Sequence, residues 1–148
     1  MQSNSLSVRL YDLLRERKVV YIYLPLIIYW VVPFILTSTP MDEIPRLFNA
    51  QDKFEHFLGY FVLSVLLCLT LHFQRKNIKL SNHAFLIALL LVLFYGAIDE
   101  VHQFLIPGRT PDITDWIADS LGAGCGILLC RWMIKANFSK TGDKLLPY

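Results

Sequence analysis

Three short stretches place ionisable and hydrogen-bonding side chains beside or inside long apolar runs. Asp52, Lys53, Glu55, His56 and Tyr60 open one run, while Asp99, Glu100, His102 and Gln103 close the next. Arg109 stands in the turn that follows, and Asp112, Asp115 and Asp119 enter a last run. Such a set could attract an anion through Lys53, His56 and Arg109. It could instead hold an oxygen-ligated divalent ion through Asp52, Asp99, Glu100 and Asp115, with His56 as general base. It could also relay protons. The spacing of the acids matches no EF-hand, and no G-x-S-x-G elbow, H-E-x-x-H or glycine-rich phosphate loop is present. No metal-ligand set is therefore assigned, and no cofactor is named by the sequence.

The elements that must position these residues follow from hydropathy. Of 148 residues, 55% are hydrophobic, which is too apolar for an ordinary soluble domain. The apolar residues come in four runs, 19–36, about 54–73, about 84–105 and about 113–134, each near the roughly 20 residues a helix needs to cross a bilayer. The expected fold is all-α, an integral membrane bundle of four transmembrane helices over 19–134, with polar tails at 1–18 and 135–148. The first run is long for a signal-peptide core, and Thr37-Ser38-Thr39-Pro40 lacks a small-residue cleavage pattern, so a retained helix is expected. Cys68, Cys125 and Cys130 all fall within spans and read as small apolar packing residues.

Basic residues set the orientation. Arg9, Arg15, Arg17 and Lys18 precede the first span; Arg75, Lys76 and Lys79 join the second to the third; Arg131, Lys135, Lys140 and Lys144 follow the fourth. Only Arg46, Lys53 and Arg109 remain for the other side, so both termini are expected in the cytoplasm. The polar stretches then share the extracytoplasmic end. The net charge of +2, with its basic residues beside spans, gives no support to nucleic-acid binding.

Helical spacing sorts the polar residues. Asp52, His56 and Tyr60 stand four apart, Glu100 and Gln103 three apart, and Asp112, Asp115 and Asp119 form a third stripe. Pro107-Gly108 is a turn signal, and so short a connection makes an antiparallel hairpin that brings Glu100, Gln103, Arg109 and Asp115 together. Two helix N-termini at that end add partial positive charge. Plainer roles stand beside these: Asp52 with Glu55 as a capping box, Asp112 as a cap, Asp115 with Arg109 as an ion pair across the turn, His56 and Tyr60 as interhelical hydrogen-bond formers. His102 could line the site or face headgroups, whereas His72 and His83 lie at the opposite ends of their spans. The first span, with Pro25 and Pro33, reads as scaffold, and Gly122, Gly124 and Gly126 as close-packing positions.

Taken in order, Asp52-Lys53-x-x-His56-Phe57-x-x-Tyr60, Glu100-x-x-Gln103, and Arg109 followed by Asp115 resemble the VanZ-like family. One position departs: Asp119 stands where the family commonly has Asn, which adds a charge. The resemblance covers the chain from about the first span to the end of the fourth. It implies a bacterial cytoplasmic-membrane protein with a cell-envelope role, in a family named for association with teicoplanin resistance. The ligand-binding residues it implies are Asp52, Lys53, His56, Tyr60, Asp99, Glu100, Gln103, Arg109, Asp115 and Asp119. The partners it suggests are membrane lipids, a lipid-linked cell-wall precursor or a glycopeptide antibiotic. The leading expectation is a non-enzymatic protein that binds or shields an anionic headgroup, precursor or antibiotic at the outer leaflet. A metal-assisted enzyme acting on a lipid phosphate and a small homo-oligomeric transporter are the alternatives.

Overall fold

The computed structural model describes residues 6–40, 47–74 and 77–141. Six α-helices run in the order α1 (Leu6–Glu16), α2 (Leu24–Thr37), α3 (Gln51–His72), α4 (Ile78–Asn82), α5 (Ala84–Gln103) and α6 (Ile113–Thr141). A π-helical turn, Val19–Tyr23, leads into α2, so the first long apolar segment is Val19–Thr37. That segment, α3, α5 and the Ile113–Ala136 part of α6 are each long and apolar enough to cross a membrane. The all-α, four-span expectation is borne out. The span limits move by a few residues, because polar Gln51, Asp52 and Lys53 form the first turn of α3 rather than preceding it.

Helix ends follow local chemistry. Pro25 lies in the first turn of α2, where a missing N–H is tolerated, and in the wide turn before it the Leu24 N–H reaches back to Val19 O. Pro33, inside α2, removes the donor that would meet the carbonyl of Tyr29. Asp112 caps α6: its Oδ1 accepts from Thr114 N at 2.8 Å. The capping box read at Asp52 and Glu55 does not form. Ala50, in a left-handed conformation at φ 61°, occupies the N-cap without a side-chain bond. Gln51 instead accepts from Leu47 N at 2.6 Å and donates to Glu55 Oε1 at 2.7 Å.

The 1–18 tail contains a folded element. Helix α1 sets Tyr11 against Phe73, with ring centroids 5.3 Å apart, and Lys18 Nζ donates to Phe73 O at 3.0 Å. Ser81 of α4 donates to His72 O at 2.7 Å. These contacts gather the start of the first span, the end of α3 and the start of α5 at one end of the bundle. The other end collects the C-terminus of α2, the start of α3, the end of α5 and the start of α6.

Helices α3 and α6 form the spine. A Cβ at position 122 would collide with the carbonyl oxygen of Phe57, and one at 126 with Phe61 O and Ser64 Oγ, so glycine lets the two backbones touch. Position 124 faces open space with nothing within 4 Å, so two of the three glycines read as packing positions serve the α3–α6 contact. Leu63, Leu67, Cys68, Ala123, Ile127 and Cys130 fill the seam, and Ala88 and Val92 of α5 close it. The outward side chains of α5, including Leu90, Phe94, Ile98 and Val101, are exposed and apolar, as lipid contact requires.

Candidate functional site

The polar end is built around two layers of side-chain contact on the α3–α6 spine. Lys53 Nζ lies 2.8 Å from Asp115 Oδ1, 3.1 Å from Asp112 Oδ2 and 3.3 Å from Asp52 Oδ2. One turn deeper, His56 Nδ1 lies 2.9 Å from Asp119 Oδ1, with both side chains almost wholly buried. The three-residue spacing 53–56 on α3 and the four-residue spacing 115–119 on α6 point both layers at the same neighbour helix. Tyr60, one turn deeper again, stacks on His56 with centroids 6.4 Å apart.

Helix α5 supplies the third wall. Glu100 Oε2 accepts from the Asp112 backbone N–H at 2.9 Å, pinning the start of α6, and Gln103 Nε2 donates to Asp99 Oδ2 at 3.4 Å. Asp99, Glu100, Gln103, Asp115 and Asp119 are all buried. Gly96 completes this wall: a Cβ there would stand 3.1 Å from Asp119 Oδ2, 3.2 Å from Tyr60 and 3.3 Å from Trp116. Among the described residues, three buried side-chain polar atoms lack a hydrogen-bond partner: Tyr60 Oη, Glu100 Oε1 and Asp119 Oδ2.

Arg109 is held apart from the carboxylates. Its Nε donates to Thr39 O and an Nη to Leu36 O, both at 2.9 Å, and the other Nη donates to Gln103 Oε1 at 3.3 Å. The guanidinium therefore closes the C-terminus of α2, where carbonyls without intrahelical partners and the helix dipole favour a cation. Beside it, a cavity of ≈ 390 Å³ opens between α2 and α3. Val32, Pro33, Leu36 and Leu58 give it an apolar side; His56, Asp99 and Arg109 give it a polar end.

The VanZ/LLP1 family model matches residues 15–134. The chain belongs to the VanZ/LLP1 family. No curated protein and no solved structure gives a match. This VanZ/LLP1 chain carries every motif residue named above at the polar end, but they divide between two settings. His56, Tyr60, Asp99 and Arg109 line the cavity, whereas Lys53 and Asp115 are engaged with each other beside it.

Three expectations change. Asp115 pairs with Lys53 and not with Arg109, because the turn turns the guanidinium toward α2. Lys53, surrounded by three carboxylates, joins α3 to α6 instead of offering an unpaired charge. The first span is more than scaffold, since Tyr29, Val32, Pro33, Leu36, Thr37 and Thr39 line the cavity. Tyr29 also donates to Gly59 O at 2.9 Å, tying α2 to α3. Nothing in the sequence signals these backbone acceptors. His102 packs against α2, its ring 5.0 Å from Phe34 and its Nε2 3.0 Å from Ser38 Oγ.

Asp112 gives this VanZ/LLP1 chain a pH signature. The Thr114 N–H, together with Lys53, holds its carboxyl down at about 2. A carboxyl unfolds to an ordinary value near 3.9, so its contribution is complete above about pH 4 and is lost as pH falls toward 2. The fall in Tm of the purified protein in detergent between pH 5 and 2 is expected to be steeper than that of Asp112→Asn. Parallel curves would argue against a charged cap.

Proposed function

We propose that this membrane protein serves the cell envelope by binding the anionic headgroup of an amphiphile in the cavity between α2 and α3. The cavity carries the reading. Its apolar side suits the start of an acyl or isoprenoid chain, and its polar end suits a headgroup. Arg109 supplies the positive charge: its three hydrogen-bond acceptors are neutral oxygens, so its cation is directed by the fold without a carboxylate bonded to it, with Glu55 and Asp99 elsewhere on the cavity lining. Asp99 and His56 would select among headgroups by accepting or donating to hydroxyls and amines.

The arrangement of basic residues supports cytoplasmic termini, and in that orientation the cavity would face the outer leaflet. Phospholipids and lipid-linked cell-wall precursors are then the accessible amphiphiles. A glycopeptide antibiotic is too bulky for ≈ 390 Å³ and would meet only the outer rim. Transport gains no support within one copy, because Leu67, Cys68, Ala88, Ile127 and Cys130 fill the seam beyond the polar end.

Retention of phosphatidylglycerol against phosphatidylcholine, measured by native mass spectrometry of protein released from mixed-lipid nanodiscs, tests the reading. The anionic lipid is expected to be retained preferentially, and Arg109→Gln to weaken that preference about tenfold, the loss of one charge-assisted contact of about 1.4 kcal/mol. Equal retention of the two lipids by the unaltered protein would overturn it, as would an unaffected preference in Arg109→Gln.

A further inference from the structure

Beside the cavity lies a cluster whose two carboxylates anion binding does not use. His56 of α3, Glu100 of α5 and Asp119 of α6 each offer a ligand atom, and the three atoms lie within 4.8 Å of one another. Acidic side chains alone would say little, but two oxygens here are anomalous. Glu100 Oε1 and Asp119 Oδ2 are buried and accept no hydrogen bond, in residues 8% and 1% exposed. Their partner oxygens are already occupied: Glu100 Oε2 by the Asp112 N–H, and Asp119 Oδ1 by His56. Each carboxylate is thus oriented by one oxygen and presents the other.

Charge argues the same way. Asp99, Glu100 and Asp119 are buried together within spans, where an uncompensated carboxylate is costly. Lys53 is shared among three other carboxylates, and Arg109 is committed to the carbonyls of Leu36 and Thr39 and to Gln103. One imidazole cannot balance this set. Gly96 leaves the room: any side chain there would press on Asp119 Oδ2.

The geometry points to a divalent transition-metal site formed by His56, Glu100 and Asp119. One imidazole and two carboxylates form a mixed nitrogen and oxygen set that suits Zn²⁺ or Mn²⁺ over Mg²⁺ or Ca²⁺, which favour oxygen alone. Three protein ligands leave a coordination position open for water or a ligand oxygen. His56 also lines the cavity, so the cluster borders the proposed headgroup site. The metal site stands without the headgroup reading, since its ligands and their unpartnered oxygens do not depend on Arg109.

The test is equilibrium dialysis of the full chain in detergent, stripped with chelator and then exposed to Zn²⁺ or Mn²⁺ alone, with metal counted by mass spectrometry. About one equivalent per chain is expected. Asp119→Asn keeps the size of the side chain and an acceptor for His56, yet should weaken binding by no less than the roughly 10- to 100-fold that loss of an outer-shell partner costs. Glu100→Gln should do the same. Asp112→Asn removes a carboxylate at the same end but outside the cluster, keeps a capping oxygen for Thr114 N, and should bind as the unaltered protein does. Mn²⁺ binding reports on the site without competition from the exposed thiol of Cys125, since thiolates favour softer ions. Substoichiometric uptake of both ions by the unaltered protein would overturn the site, and would mean that its carboxylates are neutralised by protons. Equal loss in Asp112→Asn and Asp119→Asn would also overturn it, as a diffuse acidic surface. Should a variant fail to fold, a metal-dependent rise in Tm of the unaltered protein decides the matter, its absence counting against the site.

Discussion

Gly126→Leu is expected to destabilise the protein by more than about 3 kcal/mol, while Gly124→Leu, two residues away on the same helix, costs less than about 0.5 kcal/mol. The contrast comes from where each position points. At 126 even a Cβ overlaps Phe61 O and Ser64 Oγ, so the backbones of α3 and α6 must part to admit it. Parting them opens the seam held by Leu63, Leu67 and Ile127. The same displacement separates Lys53 from Asp115 and His56 from Asp119, since each pair spans these two helices. At 124 an added Cβ meets no atom within 4 Å and points into open space. Thermal unfolding in one detergent, with the yield of folded protein from membranes, separates the two. Similar losses in both variants would mean that helix propensity or lipid contact, and not interhelical packing, sets the requirement for glycine.

Lys53→Met should be the most damaging exchange of a charged residue, by about 2–3 kcal/mol. The figure lies between the small worth of an exposed pair and the larger penalty for breaking a buried one, because the environment is graded. Asp52 and Asp112 are each 42% exposed at the side chain and can turn to water, whereas Asp115 is 10% exposed and cannot. The penalty therefore resides mainly in one stranded carboxylate. It follows that Lys53→Met with Asp115→Asn should recover much of the loss, while Lys53→Met with Asp52→Asn should recover little. A double-mutant cycle by thermal unfolding reads the coupling directly. Equal recovery in the two double variants would show Lys53 acting on the summed acidic charge rather than on Asp115.

What the sequence makes legible depends on the range of the interaction. Four spans are written as continuous apolar runs, and the polar end is written as motif residues falling at the same depth of three of them. Helix α1 escaped because Arg9, Asp12, Arg15 and Glu16 mask a short amphipathic helix whose anchors are Tyr11 and Leu14. Pairings were harder. Arg109 and Asp115 are equally plausible neighbours of several groups, and which one each meets is set by the rotation of α2 and α6 about their axes. Arg109 ends on backbone oxygens of Leu36 and Thr39, acceptors that every residue has and no side chain advertises. His56 and Asp119, far apart in sequence, meet because glycines bring their helices together. The positions could be named in advance, but their partners could not.

The spine of the bundle is made from its second and last spans, and that has a consequence for biogenesis. When the ribosome has delivered α3 and α5, His56, Lys53, Asp99 and Glu100 are already at the membrane, yet Asp112, Asp115 and Asp119 are still to be made. Until α6 arrives, those early polar residues must remain hydrated near the interface or be shielded by the insertion machinery. Assembly is thus held open for α6, and a chain truncated before residue 113 would present quality control with a cation and a histidine that lack their α6 partners.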